Sequence, residues 1–160
     1  INTEIPKYIL NQLEDAINKK PDIIIIDRSL FDRLIWADRL YVKKGMTKQE
    51  YTDYKQLYIP LIKEKINIII STYTDSLTAL KRDYSANLSL EKRKFLNITN
   101  IDEYNKSLQN MKKLAIEENI NFHLFDTTEN SQKEISIKVA NTILTDIRKT
   151  YLKEIYEQLK

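Results

Sequence analysis

The sequence is poor in the residues that most often announce a mechanism. It has one glycine, Gly45, no cysteine, one histidine, His123, and three prolines. A single glycine excludes both glycine-dependent phosphate turns, G-x-x-x-x-G-K-[ST] and G-x-G-x-x-G. Without cysteine there is no disulfide framework, thiolate metal site or cysteine nucleophile. A lone histidine argues against a His-based zinc site. Excess charge is scarce too: 26 basic against 23 acidic side chains leaves +3, which carries no strong nucleic-acid or membrane signal. The longest aliphatic run, Ile23–Ile26, is far short of the roughly 20 apolar residues of a membrane span. Residues 1–20 are charged throughout and hold no apolar signal core. These absences point to a cytoplasmic protein.

What is present reads as one ordinary globular domain over residues 1–160, at 42% hydrophobic and 31% charged residues. Ile5, Ile9, Leu10, Leu13, Ala16 and Ile17 recur at helical spacing until Pro21-Asp22. Ile23–Ile26, β-branched and without alternation, predicts a strand covered on both faces. A helix follows over 30–44, with Gly45 expected as its left-handed terminator. Thr47-Lys48-Gln49-Glu50 is a capping box opening a helix that Pro60 kinks or restarts. Strands are predicted at 66–71 and 121–125, and helices at 75–84, 101–118 and from 132 onward, the last capped by Ser131 with Glu134. Alternating strands and helices predict an α/β fold, a three-layer parallel sheet with helices on both faces. Three strands make a thin sheet, so the domain reads as incomplete at its N-terminus.

In such sheets ligands bind beyond the carboxyl ends of the strands. Asp27-Arg28-Ser29, Tyr73-Thr74-Asp75 and Asp126-Thr127-Thr128 occupy those ends. An aspartate there holds Mg²⁺ through water or accepts a hydroxyl proton, and an adjacent guanidinium grips phosphate bidentately. Equally, Asp27 or Ser29 caps the next helix while Arg28 extends into solvent. Asp32 lies one turn beyond Arg28, within reach of it. Asp38-Arg39 reads better as a solvated helix face. Lys81-Arg82 and Lys92-Arg93-Lys94 bracket a polar stretch, 81–100, that reads either as a lid over polyphosphate or as solvated surface. Phe31 and Trp36 offer rings to a base, although Trp36 at helical spacing fits a core better. His123, mid-strand, reads as a satisfied histidine and not a catalyst.

The stretch Asp27-Arg28-Ser29-Leu30-Phe31-Asp32-Arg33-Leu34-Ile35-Trp36-Ala37, followed by Met46-Thr47-Lys48-Gln49-Glu50-Tyr51, resembles the deoxynucleoside kinase family. That family carries Glu-Arg-Ser after a strand and an Asp-Arg pair in the next helix. The related thymidylate kinases have Asp-Arg-Tyr or Asp-Arg-Phe, and this sequence mixes the two patterns. The order of elements matches over residues 22–147.

The resemblance implies a P-loop nucleoside triphosphate hydrolase-like fold and transfer of the γ-phosphoryl of ATP, with Mg²⁺, to a nucleoside or nucleotide, and it suggests a homodimer. By position, Asp27 is the general base or an indirect Mg²⁺ carboxylate. Arg28 holds the acceptor's phosphate or 5′ end, Asp32 orients Arg28 or the base, and Phe31 and Trp36 border the substrate. Lys81, Arg82 and Arg93 are the lid cations, Arg82 foremost, and Asp126 and Thr127 border the adenine. The departure is the absent phosphate loop, so the 160-residue chain is expected to have no kinase activity. A second reading is a degenerate or regulatory P-loop-like domain that binds nucleotide or a partner without catalysis. A third, a DNA-handling ATPase module, is disfavoured by the small net charge.

Overall fold

A computed structural model describes residues 4–85 and 97–159, with side chains described from residue 7 to 82 and again from 97. Arg93 and the middle of the 81–100 lid segment lie outside the described residues. The chain divides into two compact units, Ile1–Lys65 and Ile66–Lys160.

The first unit is helical. It contains α1 (Glu4–Asn18), α2 (Leu30–Val42) and α3 (Lys48–Lys65). The apolar residues of α2 and α3 face one another, and Leu30, Phe31, Leu34, Ile35, Tyr58 and Ile62 are sealed almost completely from water. Thr47 and Glu50 exchange hydrogen bonds as the capping box requires: Thr47 N–H donates to Glu50 Oε2 at 2.7 Å and Glu50 N–H to Thr47 Oγ1 at 3.2 Å. Pro60 lies inside α3, which continues through it.

The second unit is built on a parallel pair of strands, β1 (Ile69–Tyr73) and β2 (Phe122–Asp126), with Ile69 opposite Phe122 and Tyr73 opposite Asp126. The crossover between them carries α4 (Ser76–Ser85) and α5 (Ile98–Glu117). α5 packs on both strands through a face that buries Ser107, Leu108, Met111, Leu114 and Ala115. α6 (Gln132–Gln158) follows β2 and buries no residue fully.

These elements overturn the expected three-layer parallel sheet. Among the described residues the sheet has two strands, and the rest of the regular structure is helix. The predicted strand at Ile23–Ile26 does not form: the segment has no regular structure, and Ile25 is 90% exposed. β-Branched residues favour a pleated backbone only where a neighbouring strand completes the ladder and a covering layer buries the side chains. Among the described residues neither is present at this segment, so sequence pattern alone misleads.

Helix termination also differs from expectation. Lys44, not Gly45, takes the left-handed conformation after α2, with φ 58°. Its N–H reaches Tyr41 O at 3.0 Å and the Gly45 N–H reaches Leu40 O at 2.8 Å, the paired bonds of a Schellman ending. Asn119 (φ 54°) ends α5 in the same way, and Lys20 (φ 52°) ends α1 just before Pro21. In a chain with one glycine, lysine and asparagine fill the positions that glycine commonly takes.

Candidate functional site

Ser29 is the N-cap of α2. Its backbone is extended and its Oγ accepts the Phe31 N–H at 3.2 Å, which accounts for the serine as a structural residue. Immediately before it, Arg28 has φ 60°. Among the described residues, four non-glycine residues adopt this conformation; three of them terminate helices and Arg28 does not. Side chains at such a backbone position are held at a cost that surrounding structure must offset, and such positions cluster at functional sites.

Asp32, in the first turn of α2, is half-buried. Burial pushes its carboxyl above the usual range, while the Arg28 guanidinium, the Ser29 backbone and the Arg33 guanidinium pull it down. Asp27 is exposed and adds a like charge that raises it slightly. Arg33 is half-buried, its Nε is shielded from water, and that atom has no hydrogen-bond partner. The start of α2 therefore gathers Asp27, Arg28, Asp32 and Arg33 around the positive end of a helix dipole. The four charges balance, and the helix dipole and the guanidinium donors are what favour an anionic group there.

The two predicted aromatic contacts behave differently. Phe31 is a core residue, 1% exposed, and presents no surface to a ligand. Trp36 is not core: it is 46% exposed, with the Arg39 guanidinium 4.8 Å from the ring centroid. Asp38 departs from its expected solvated face. It is 4% exposed and accepts a hydrogen bond from the Tyr51 hydroxyl at 3.1 Å. The Tyr51 ring stacks on Tyr41, centroids 4.8 Å apart and planes 7° from parallel. Beside this stack, at the turn between α2 and α3, opens a cavity of about 610 Å³ lined by Tyr41, Val42, Lys44, Gly45, Met46, Thr47 and Glu50. The signal for Asp38 was in the sequence, since it lies at i+4 from Leu34 and i+7 from Phe31 on the apolar side of α2.

In the second unit the two strand ends lie side by side and are tied together. Thr127 N–H and Oγ1 both donate to Tyr73 O, at 2.8 and 2.9 Å. Asp75 Oδ1 accepts the Thr78 N–H at 2.9 Å and caps α4, and its own N–H donates to Thr128 Oγ1 at 3.1 Å. Hydrogen bonds from Thr78 hold the Asp75 carboxyl below its ordinary range, and those from Thr128 do the same for Asp126.

Arg82 reaches across this loop. Its Nη2 donates to Thr127 O at 2.7 Å and lies 3.4 Å from both Thr128 O and Asn130 O, while Nη1 reaches Thr127 Oγ1 at 3.3 Å. The foremost expected lid cation thus serves here as a brace for the loop after β2. To grip a phosphate it must release these bonds. Lys81 is exposed and its charge is felt by Asp75.

Among the described residues no group of three His, Asp or Glu side chains is placed to hold a metal ion, and no helix is long and apolar enough to cross a membrane. Mg²⁺ commonly needs only one or two carboxylates beside substrate phosphates, so Asp27 alone fits an indirect role. The triphosphate of ATP is a different matter: with one glycine, the sequence holds neither glycine-rich turn that commonly cradles it. Comparison with protein-family models, curated proteins and solved structures finds no match to this chain.

Proposed function

We propose that the Asp27–Arg33 corner binds the phosphate or 5′ end of a nucleoside or nucleotide, as the acceptor end of a phosphotransferase. The observation that carries this reading is Arg28, held left-handed without a helix-ending reason and electrostatically engaged with half-buried Asp32. Arg28 supplies a planar fork for anionic oxygens, the α2 N-terminus adds its dipole, and the Asp32 carboxyl attracts the guanidinium. Asp27, exposed beside them, accepts a proton from an acceptor hydroxyl or carries Mg²⁺ through water. The donor implied by the resemblance is ATP. The residues present do not fit its triphosphate, so no step is assigned through it.

A second reading, nucleotide or partner binding without catalysis, is favoured by the lack of a glycine-rich phosphate turn and by the engagement of Arg82 with loop carbonyls. Both readings share the anion corner and part at turnover. Calorimetric titration with thymidine, thymidine 5′-monophosphate and inorganic phosphate tests the shared part. Monophosphate binding that disappears in Arg28→Ala and persists in Asp27→Asn supports the corner; binding unaffected by Arg28→Ala contradicts it. A phosphoryl-transfer assay with ATP and Mg²⁺ is expected to show no turnover by the 160-residue chain.

A further inference from the structure

The second unit carries a feature that the proposed site does not use. α6 buries no residue fully, yet half-buried side chains run along its first half: Ile135, Val139, Thr142, Ile143 and Asp146. From Ile147 to Leu159 every side chain is exposed. Asp146 is therefore the last point at which α6 is held by the rest of the unit.

The hold is polar. Asp146 Oδ2 lies 3.0 Å from His123 Nε2 and 3.0 Å from Asn121 Nδ2. The same His123 Nε2 is 3.0 Å from Asn121 Oδ1, and Asn121 Nδ2 also donates to Asn67 O at 3.2 Å. Two acceptors converge on Nε2, so that nitrogen carries the proton whether the ring is neutral or cationic. Protonating the ring places its second proton on Nδ1 and converts a neutral donor into a cation facing a carboxylate. The charged groups that face Asp146 are His123 from β2 and Lys149 from its own helix, the latter 3.8 Å from Oδ1. The Phe125 ring lies alongside His123, centroids 6.4 Å apart.

We propose that His123, Asn121 and Asp146 form a pH-sensitive pin that sets how far along its length α6 stays docked on the β1–β2 unit. The pin is tightest where an imidazolium faces the carboxylate, and a neutral ring holds that carboxylate less tightly. The bonds from Asn121 and His123 hold the Asp146 carboxyl below its ordinary range, so the carboxylate's contribution is present above the unfolded value and is lost as pH falls through the lower folded one.

Amide hydrogen exchange on the full chain, corrected for intrinsic rates, reads the pin directly. Opening of residues 132–146 is expected to be about threefold more frequent at pH 8.5 than at pH 5.5, the scale of a partly exposed ion pair. His123→Gln keeps a donor without the titration and is expected to abolish this difference. Asp146→Asn is expected to raise α6 opening at both pH values while α5 protection stays unchanged. Because the chain has one histidine, its ring resonances give a second reading on the unsubstituted protein, and their midpoint must match that of α6 protection. Equal protection at both pH values, a pH difference that survives in His123→Gln, loss spreading into α5, or mismatched midpoints would each overturn the proposal.

Discussion

The Tyr51 hydroxyl donates to the Asp38 carboxylate at 3.1 Å and so joins α3 to the one buried acid of α2 among the described residues. Burial and the neighbouring Asp38 charge both push the Tyr51 hydroxyl well above its ordinary range, so it remains a donor throughout the working pH range. Tyr51→Phe removes that donor while keeping the ring stacked on Tyr41. It is expected to lower the stability of the first unit by about 1–2 kcal/mol in urea unfolding, the cost of taking a donor from a buried acceptor.

The turn after α2 offers a paired test of backbone conformation. Lys44→Gly relieves a left-handed residue and is expected to stabilise by about 0.5–1 kcal/mol. Gly45→Ala is also expected to stabilise slightly, by a few tenths up to about 0.5 kcal/mol. A Cβ at Gly45 meets only Leu40 O at 3.5 Å and Leu40 Cδ2 at 3.7 Å, ordinary contacts that complete the apolar touch of a Schellman ending. Thermal melts of both variants check the sign.

Arg82 braces the loop after β2 through acceptors arranged for a guanidinium fork. Arg82→Ala is expected to cost about 1 kcal/mol in the second unit and to speed hydrogen exchange in residues 127–131. Arg82→Lys is expected to recover little of this, because a point charge cannot address both Thr127 oxygens at once.

Acid acts on the two units differently. In the second unit Asp75, Asp126, Asp146 and Glu134 all have carboxyls held below their ordinary range by hydrogen bonds. Their contribution is complete above the unfolded carboxylate range near pH 4 and drains away as pH falls below it. In the first unit Glu50 is held low in the same way by its bonds with Thr47, but Asp32 has the opposite sign: its raised value means that the fold gains as the carboxyl protonates. Residue-resolved exchange between pH 5 and pH 2.5 is expected to show the second unit weakening first. By the same logic Asp32→Asn raises the melting temperature of the first unit at pH 7 by about 1–2 °C, after discounting for solvent screening.

Much of the local structure was legible in the residues. Ser29, the Thr47/Glu50 box and the Ser131/Glu134 box each mark a helix start through short-range hydrogen bonds, which sequence spacing encodes directly. The sheet was less legible. Ile23–Ile26 and the run into Ile69–Tyr73 are both rich in isoleucine, but among the described residues only the second finds a parallel partner, Phe122–Asp126, some fifty residues away. Pairing over that separation depends on the whole chain and not on the run itself. At the candidate site, the spacing of Arg28 and Asp32 over one helical turn was readable. The left-handed backbone of Arg28 and the brace made by Arg82 were not, since both arise from three-dimensional context.

If Arg28 makes the start of α2 an acceptor-phosphate site, as proposed, backbone amide chemical shifts will report it during titration with thymidine 5′-monophosphate. Saturable shifts concentrated at residues 27–33, abolished by Arg28→Ala and retained in Asp27→Asn, are expected. Saturable shifts that leave residues 27–33 untouched, or that persist in Arg28→Ala, would contradict it.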